Sequence, residues 1–166
     1  MTVDSELIGL SVPQKFMSYA VAYLDAATAL NRKIYDGDSP NDWPNSSVIL
    51  HLATHAVELF LKSAIYSAEP EAKIEHHNLD KLYAEFLNRY PKDKFAFEMP
   101  FATEHFGLTE NEIASLKTPT QSVRYRYPTR NGVAEWDGAH GFKADMFELR
   151  LRQLRSDFGE LRAKFT

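Results

Sequence analysis

The stretch SVILHLATHAVELFLKSA, residues 47–64, carries four side chains able to hold protons, metals or anions: His51, His55, Glu58 and Lys62. On a helix they stand at i, i+4, i+7 and i+11, in one narrow stripe down a single face. Neutral imidazoles and a carboxylate in that register are an acceptable cation site, with His51, His55 and Glu58 as the alternative metal ligands of a His-rich hydrolase. Two features oppose it. The segment reads His-Leu-Ala-Thr-His where a metalloprotease helix needs His-Glu-x-x-His, and the charge of Lys62 one turn further on repels a cation. The competing readings are a structural Glu58–Lys62 pair at i, i+4 and a stripe that lines an interhelical or dimer cleft.

A second group of candidates lies in VRYRYPTRNGVAEW, residues 123–136. Arg124 and Arg126 alternate with Tyr125 and Tyr127 ahead of a Pro and an Asn-Gly turn, the pattern of a β-hairpin. On alternating strand faces this joins phosphate-pairing guanidiniums to aromatic surface, a combination that suits single-stranded RNA or a nucleotide. The alternative is a hairpin whose tyrosines bury against the rest of the chain while its arginines pair with some of the 23 acidic residues. Arg130 and His140, with Trp136 and Asp137 between them, complete a possible polar pocket in which arginine stabilises a charged phosphorus centre and His140 acts as acid or base. His76 and His77 precede a helix and read most simply as its cap or packing, and His105 as a surface or packing residue.

Composition narrows the chemistry further. The chain has 166 residues, a net charge of -4 and no cysteine, which excludes disulfides, thiolate catalysis and Cys-based metal sites. Its acidic balance argues against a wholly nucleic-acid-binding surface but allows a local basic patch. No motif calls for a cofactor. The length suits one domain over residues 1–166. The N-terminus MTVDSELIGL lacks a basic, apolar leader, and no apolar run approaches the roughly 20 residues of a bilayer span, so the expectation is a cytoplasmic protein without a membrane partner.

The elements that must position these residues are mainly helical. Ser11 with Gln14 forms a capping box and Pro13 suits a first turn, so a helix runs from 12 to the mid-30s until YDGDSPNDWPNSS breaks it. A second helix, 46–68, capped by the serines, is apolar almost all round apart from the stripe and belongs at the centre of a bundle. HHNLDKLYAEFLNRYP gives a third helix with Asn78 or a neighbour as cap and Pro91 as stop. Phe95, Phe97, Met99 and Phe101 alternate strictly, predicting an extended segment pressed on the bundle. Thr109 and Glu112 predict a short helix over 109–117, and from about 142 a last helix repeats Phe147, Leu151, Leu154, Phe158, Leu161 and Phe165 at spacings of four and three. Arg150, Arg152, Arg155 and Arg162 stand between those positions as a solvated face, with Glu148 and Arg152 paired.

HAVELFLKSAIY, a polar linker and HHNLDKLYAEF together resemble the HEPN superfamily. The matching positions are Ala56, Glu58, Leu61 and Lys62 on one helix, then His77, Asn78 and Leu79 at the start of the next, and the likeness covers about residues 45–90. It implies an up-and-down bundle of about five helices, here with a hairpin or extended insertion before the last, that commonly forms a homodimer. It also implies Glu58, Lys62, His77 and Asn78 as structural motif residues, with Glu58 and Lys62 tying helices together. Members of that superfamily serve in toxin–antitoxin modules, phage defence and RNA processing, some as metal-independent ribonucleases and others as binding versions. The ribonucleases carry an Arg followed after four to six residues by a His, and no arginine in this chain has a His at that spacing. Arg130 and His140 are the nearest substitute. The resulting expectation is a non-classical domain that binds RNA, a nucleotide or a protein such as an antitoxin, with a rearranged metal-independent ribonuclease as its rival. In either case the hairpin faces the stripe, and His51 and His55 form the floor of the cleft.

Overall fold

A computed structural model describes residues 4–93, 95–101, 125–126 and 141–165. Among these residues are four α-helices and no strand: α1 Val12–Tyr35, α2 Trp43–Ala68, α3 Leu79–Arg89 and α4 Ala144–Arg162, with 3-10 turns at Asp4–Leu7 and Ala163–Phe165. The chain is mainly α, as its periodicity predicts. The helix expected over 109–117 lies outside the described residues, and so does the hairpin over 123–136 apart from two positions. Those two, Tyr125 and Arg126, are helical rather than extended, which overturns the strand reading at these positions. Alternating Arg and Tyr offers no more to a strand than to a helical turn that puts one tyrosine inward, and Tyr125 packs partly buried against the core.

Helix α1 begins with the predicted capping box: the Gln14 side chain accepts from the Ser11 backbone N–H at 2.9 Å, and Ser11 Oγ accepts from Gln14 N. It ends at Asp36-Gly37, where Gly37 takes a left-handed φ of 81°, a conformation costly for any residue with a Cβ. Met17, Ala20, Leu24, Ala27, Asn31 and Ile34 form its buried edge, at spacings of three and four.

Helix α2 starts earlier than the serines suggest. Asp42 is the cap, its Oδ1 accepting from Asn45 N at 3.0 Å, and Pro44 occupies the first turn, where a missing N–H costs nothing. Ser46 Oγ instead donates to Asp42 O and Ser47 Oγ to Pro44 O. By length and composition α2 could cross a membrane, against the expectation that no segment could, but most of its apolar window is buried inside the bundle.

The arrangement follows from which faces are apolar. Helix α1 runs antiparallel to α2: Ser63 Oγ donates to Pro13 O at 2.7 Å and Phe16 stacks on Tyr66 at 5.3 Å. It is antiparallel to α4 as well, because buried Asn31 donates to Ala144 O at 3.0 Å while Asp25 pairs with Arg155 farther along. Helix α3 starts at Asn78, whose side chain accepts from Lys81 N at 3.0 Å, and lays Leu79, Leu82 and Phe86 on α2. The segment 95–101 then crosses the bundle without regular hydrogen bonding, burying Phe95, Phe97, Met99 and Phe101 while Ala96 and Glu98 face outward. Helix α3, the segment 95–101 and α4 meet at Phe60 of α2, a fully buried ring in contact with Phe86, Phe95 and Phe97 and stacked face to face on Phe158 of α4 at 4.4 Å.

Candidate functional site

The polar stripe of α2 is not its wet side. Glu58 and Lys62 are both buried, in the middle of an apolar helix. Burying a charge is tolerable only where it is paired and hydrogen-bonded, and Glu58 is the point on which the neighbouring donors converge. Lys62 Nζ donates to Glu58 Oε1 at 2.9 Å. His77 Nδ1, in the segment leading into α3, lies 2.7 Å from the same oxygen. His55 Nδ1 stands 3.6 Å from Oε2, just beyond hydrogen-bonding distance. Burial alone would raise the Glu58 carboxyl, but His55, Lys62 and His77 outweigh it and hold the group at about 2. Glu58 is therefore an anion at every physiological pH.

An ionised carboxylate can only accept, so His77 Nδ1 must carry the hydrogen of the 2.7 Å contact. In the neutral ring this makes Nε2 the basic nitrogen, and the His77 side chain is 72% exposed. The arrangement is a buried acid that fixes the tautomer and orientation of an accessible imidazole, which is what an acid–base histidine requires. Lys62 Nζ, 3.5 Å from His77 Nδ1, then contributes charge to the ring and not a hydrogen bond. Of the two readings for His76 and His77, cap or packing, the structure gives packing: Asn78 caps α3, while His76 Nε2 pairs with Glu85 at 3.0 Å and His77 with Glu58.

Toward its N-terminal end the stripe continues through His55 and His51, whose rings lie 6.2 Å apart, and Tyr23 of α1 holds His55 edge-on at 4.6 Å. The pKa of His51 is lowered by burial and then by the charges of Arg126 and His55, with Glu58 opposing, so the ring is neutral at neutral pH. Its Nδ1 is buried without a hydrogen-bond partner. Arg126 is exposed and acts on His51 from a part of the chain far off in sequence. The structure thus brings His51, His55, Glu58, Lys62 and His77 into one row, with Arg126 near enough for its charge to act on His51. From His51 to Lys62 the row is about 16 Å long at 1.5 Å per residue.

Of the remaining sequence candidates, Tyr125 faces the core, and Asn78 serves as the α3 cap. Arg124, Tyr127, Arg130 and His140 lie outside the described residues. The metal alternative finds no support in the geometry. Among the described residues no three His, Asp or Glu groups are placed to hold an ion, and the oxygens of Glu58 already face Lys62, His77 and His55. The pairing of His77 with Glu58 is the element that sequence reasoning missed. The doubled histidine before the Asn78 cap was its signal, since one cap position cannot occupy both rings. Comparisons of the chain with protein-family models, curated proteins and solved structures found no match.

Proposed function

We propose that the chain is a HEPN-like helical domain that binds RNA, or a nucleotide, through its phosphates along the α2 stripe. The observation that carries this reading is the row itself: Lys62, His77 and His55 converge on one buried counter-charge, Glu58, while His51 and the charge of Arg126 that acts on it have no acid of their own, leaving donors in excess on one face. Phosphate recognition needs cationic and N–H donors in this kind of array. The unpartnered Nδ1 of His51 is a buried group for which a ligand would supply the missing hydrogen bond. The likeness to HEPN proteins further carries a proposed homodimer and a setting in toxin–antitoxin, stress or phage-defence systems, with an antitoxin-like protein as possible second partner.

A second reading, metal-independent cleavage of the bound phosphodiester, is favoured by the Glu58–His77 contact, because it leaves an exposed Nε2 able to take a proton from an attacking hydroxyl. One experiment addresses both. A labelled single-stranded RNA is titrated by fluorescence anisotropy over a range of salt concentrations with chelator present, and the same RNA is then run on a gel. Binding that falls with salt, with Arg126→Ala lowering the salt slope by about one contact, is the expected result. Intact RNA leaves the binding reading. Cleavage that disappears in His77→Ala replaces it with the second, and binding indifferent to Arg126→Ala and His77→Ala would remove both.

A further inference from the structure

Beside the start of α4 is a recess of about 390 Å³, lined by Leu50, Phe142, Lys143, Met146, Phe147 and Arg150. None of these residues belongs to the α2 stripe. The volume lies in the range of small-molecule sites, roughly 300–1,000 Å³. Its bed is apolar. The Phe142 and Phe147 rings stand 5.3 Å apart with their planes inclined by 56°, and Leu50 closes the floor. Such a corner receives a flat ring face-on against one wall and edge-on against the other. The thioether of Met146, an exposed side chain in a position where burial would be favourable, adds a soft contact to an aromatic edge.

The rim carries charge without counter-charge. Lys143 and Arg150 are both exposed, and among the described residues neither makes an ion pair, although the nearby Glu148 is engaged by Arg152 at 3.0 Å and by Asn31. The one acid in the first turn of α4, Asp145, is turned onto its own helix, its Oδ1 accepting from Met146 N at 2.8 Å. Lys143 holds the N-cap position with no side-chain cap, so the positive end of the α4 dipole adds to the two side chains.

We infer that this recess is a second binding site, for a planar aromatic anion whose ring enters the Phe142–Phe147 corner and whose negative group meets Lys143 and Arg150. A long alkyl anion does not suit it, because an open corner of two rings cannot enclose a flexible chain. A neutral aromatic leaves both cations unanswered. The anion is held by charge-assisted hydrogen bonds from two long side chains about two turns of helix apart, and the ring by desolvation of four apolar side chains.

The test uses the full chain labelled with ¹³C at the methionine methyls and titrated with phenyl phosphate. The Met146 methyl is expected to shift saturably while Met17, buried between α1 and α2, stays still. Lys143→Ala with Arg150→Ala should weaken that response by at least about tenfold. Lys15→Ala with Lys73→Ala, an equal loss of exposed charge elsewhere, should leave it unchanged. AMP in place of phenyl phosphate separates the possible sources: tighter binding identifies a nucleotide, weaker binding a smaller aromatic acid. No Met146 shift with either probe, equal weakening by the control pair, or equally tight binding of adenosine or decanoate would overturn the inference. RNA binding on the stripe is read by anisotropy, so either site can fail without the other.

Discussion

At the scale of single residues, Glu58 decides how the protein responds to acid. Its folded-state pKa of about 2 lies below the ordinary 4.5, so the group contributes stability that is complete above the ordinary value and is lost as pH falls from there toward 2. Glu58→Gln keeps the shape but leaves the buried Lys62 ammonium without its counter-charge. At pH 7 the variant should be less stable in urea denaturation by on the order of 3 kcal/mol. The gap between variant and parent should narrow steadily below about pH 4.5, and a gap that stays constant down to pH 3 would show that the carboxylate charge is not what stabilises the site. The i, i+4 relation of Glu58 and Lys62 was legible in the sequence because it is local. The His77 contact was not, since it joins residues on separate elements, and nothing in the short-range pattern of either segment specifies that they meet.

Among the elements, α1, α3 and α4 were legible for a common reason: each has a strong apolar period and an unambiguous end, Ser11 with Gln14, Asn78 before Pro91, and the four-and-three repeat from Phe147 to Leu161. The start of α2 was misplaced because its sequence holds competing caps. Asp42 wins over Ser46 and Ser47, since a cap there adds another turn of helix, tolerates Pro44 at its first positions and still satisfies both hydroxyls by back-bonding to carbonyls. Asp42→Ala should therefore cost about 1 kcal/mol, read as a fall in Tm of roughly 2–4 °C. Ser46→Ala and Ser47→Ala should have smaller effects, and the reverse order would mean that the serines are the true caps. The alternating Arg and Tyr misled at Tyr125 and Arg126 for another reason: alternation specifies a strand only when one face is apolar and the other polar over several residues, and two tyrosines do not meet that condition.

For the molecule as a whole, the mainly α class was legible because the buried positions of four long helices repeat with helical spacing, whereas the segment 95–101 shows that a period of two can be met by irregular chain pressed on a bundle. The Phe60–Phe158 stack also orders events in time. Helices α1 and α2 are neighbours in sequence and can pair early, but Phe158 reaches Phe60 only after a long loop has closed. Phe158→Ala, expected to destabilise by about 3–5 kcal/mol, should therefore speed unfolding far more than it slows refolding, while a change in the α1–α2 pair such as Ala56→Gly should slow refolding. Stopped-flow rates in urea would show it, and a refolding rate that falls in full proportion to the lost stability in Phe158→Ala would place α4 in the early nucleus instead. On the ribosome the same geometry has a plainer consequence. When α1, α2 and α3 have emerged and α4 has not, the Phe60 ring lacks Phe158, the one ring stacked face to face on it, and the growing chain presents a sticky aromatic surface that invites a chaperone until α4 arrives.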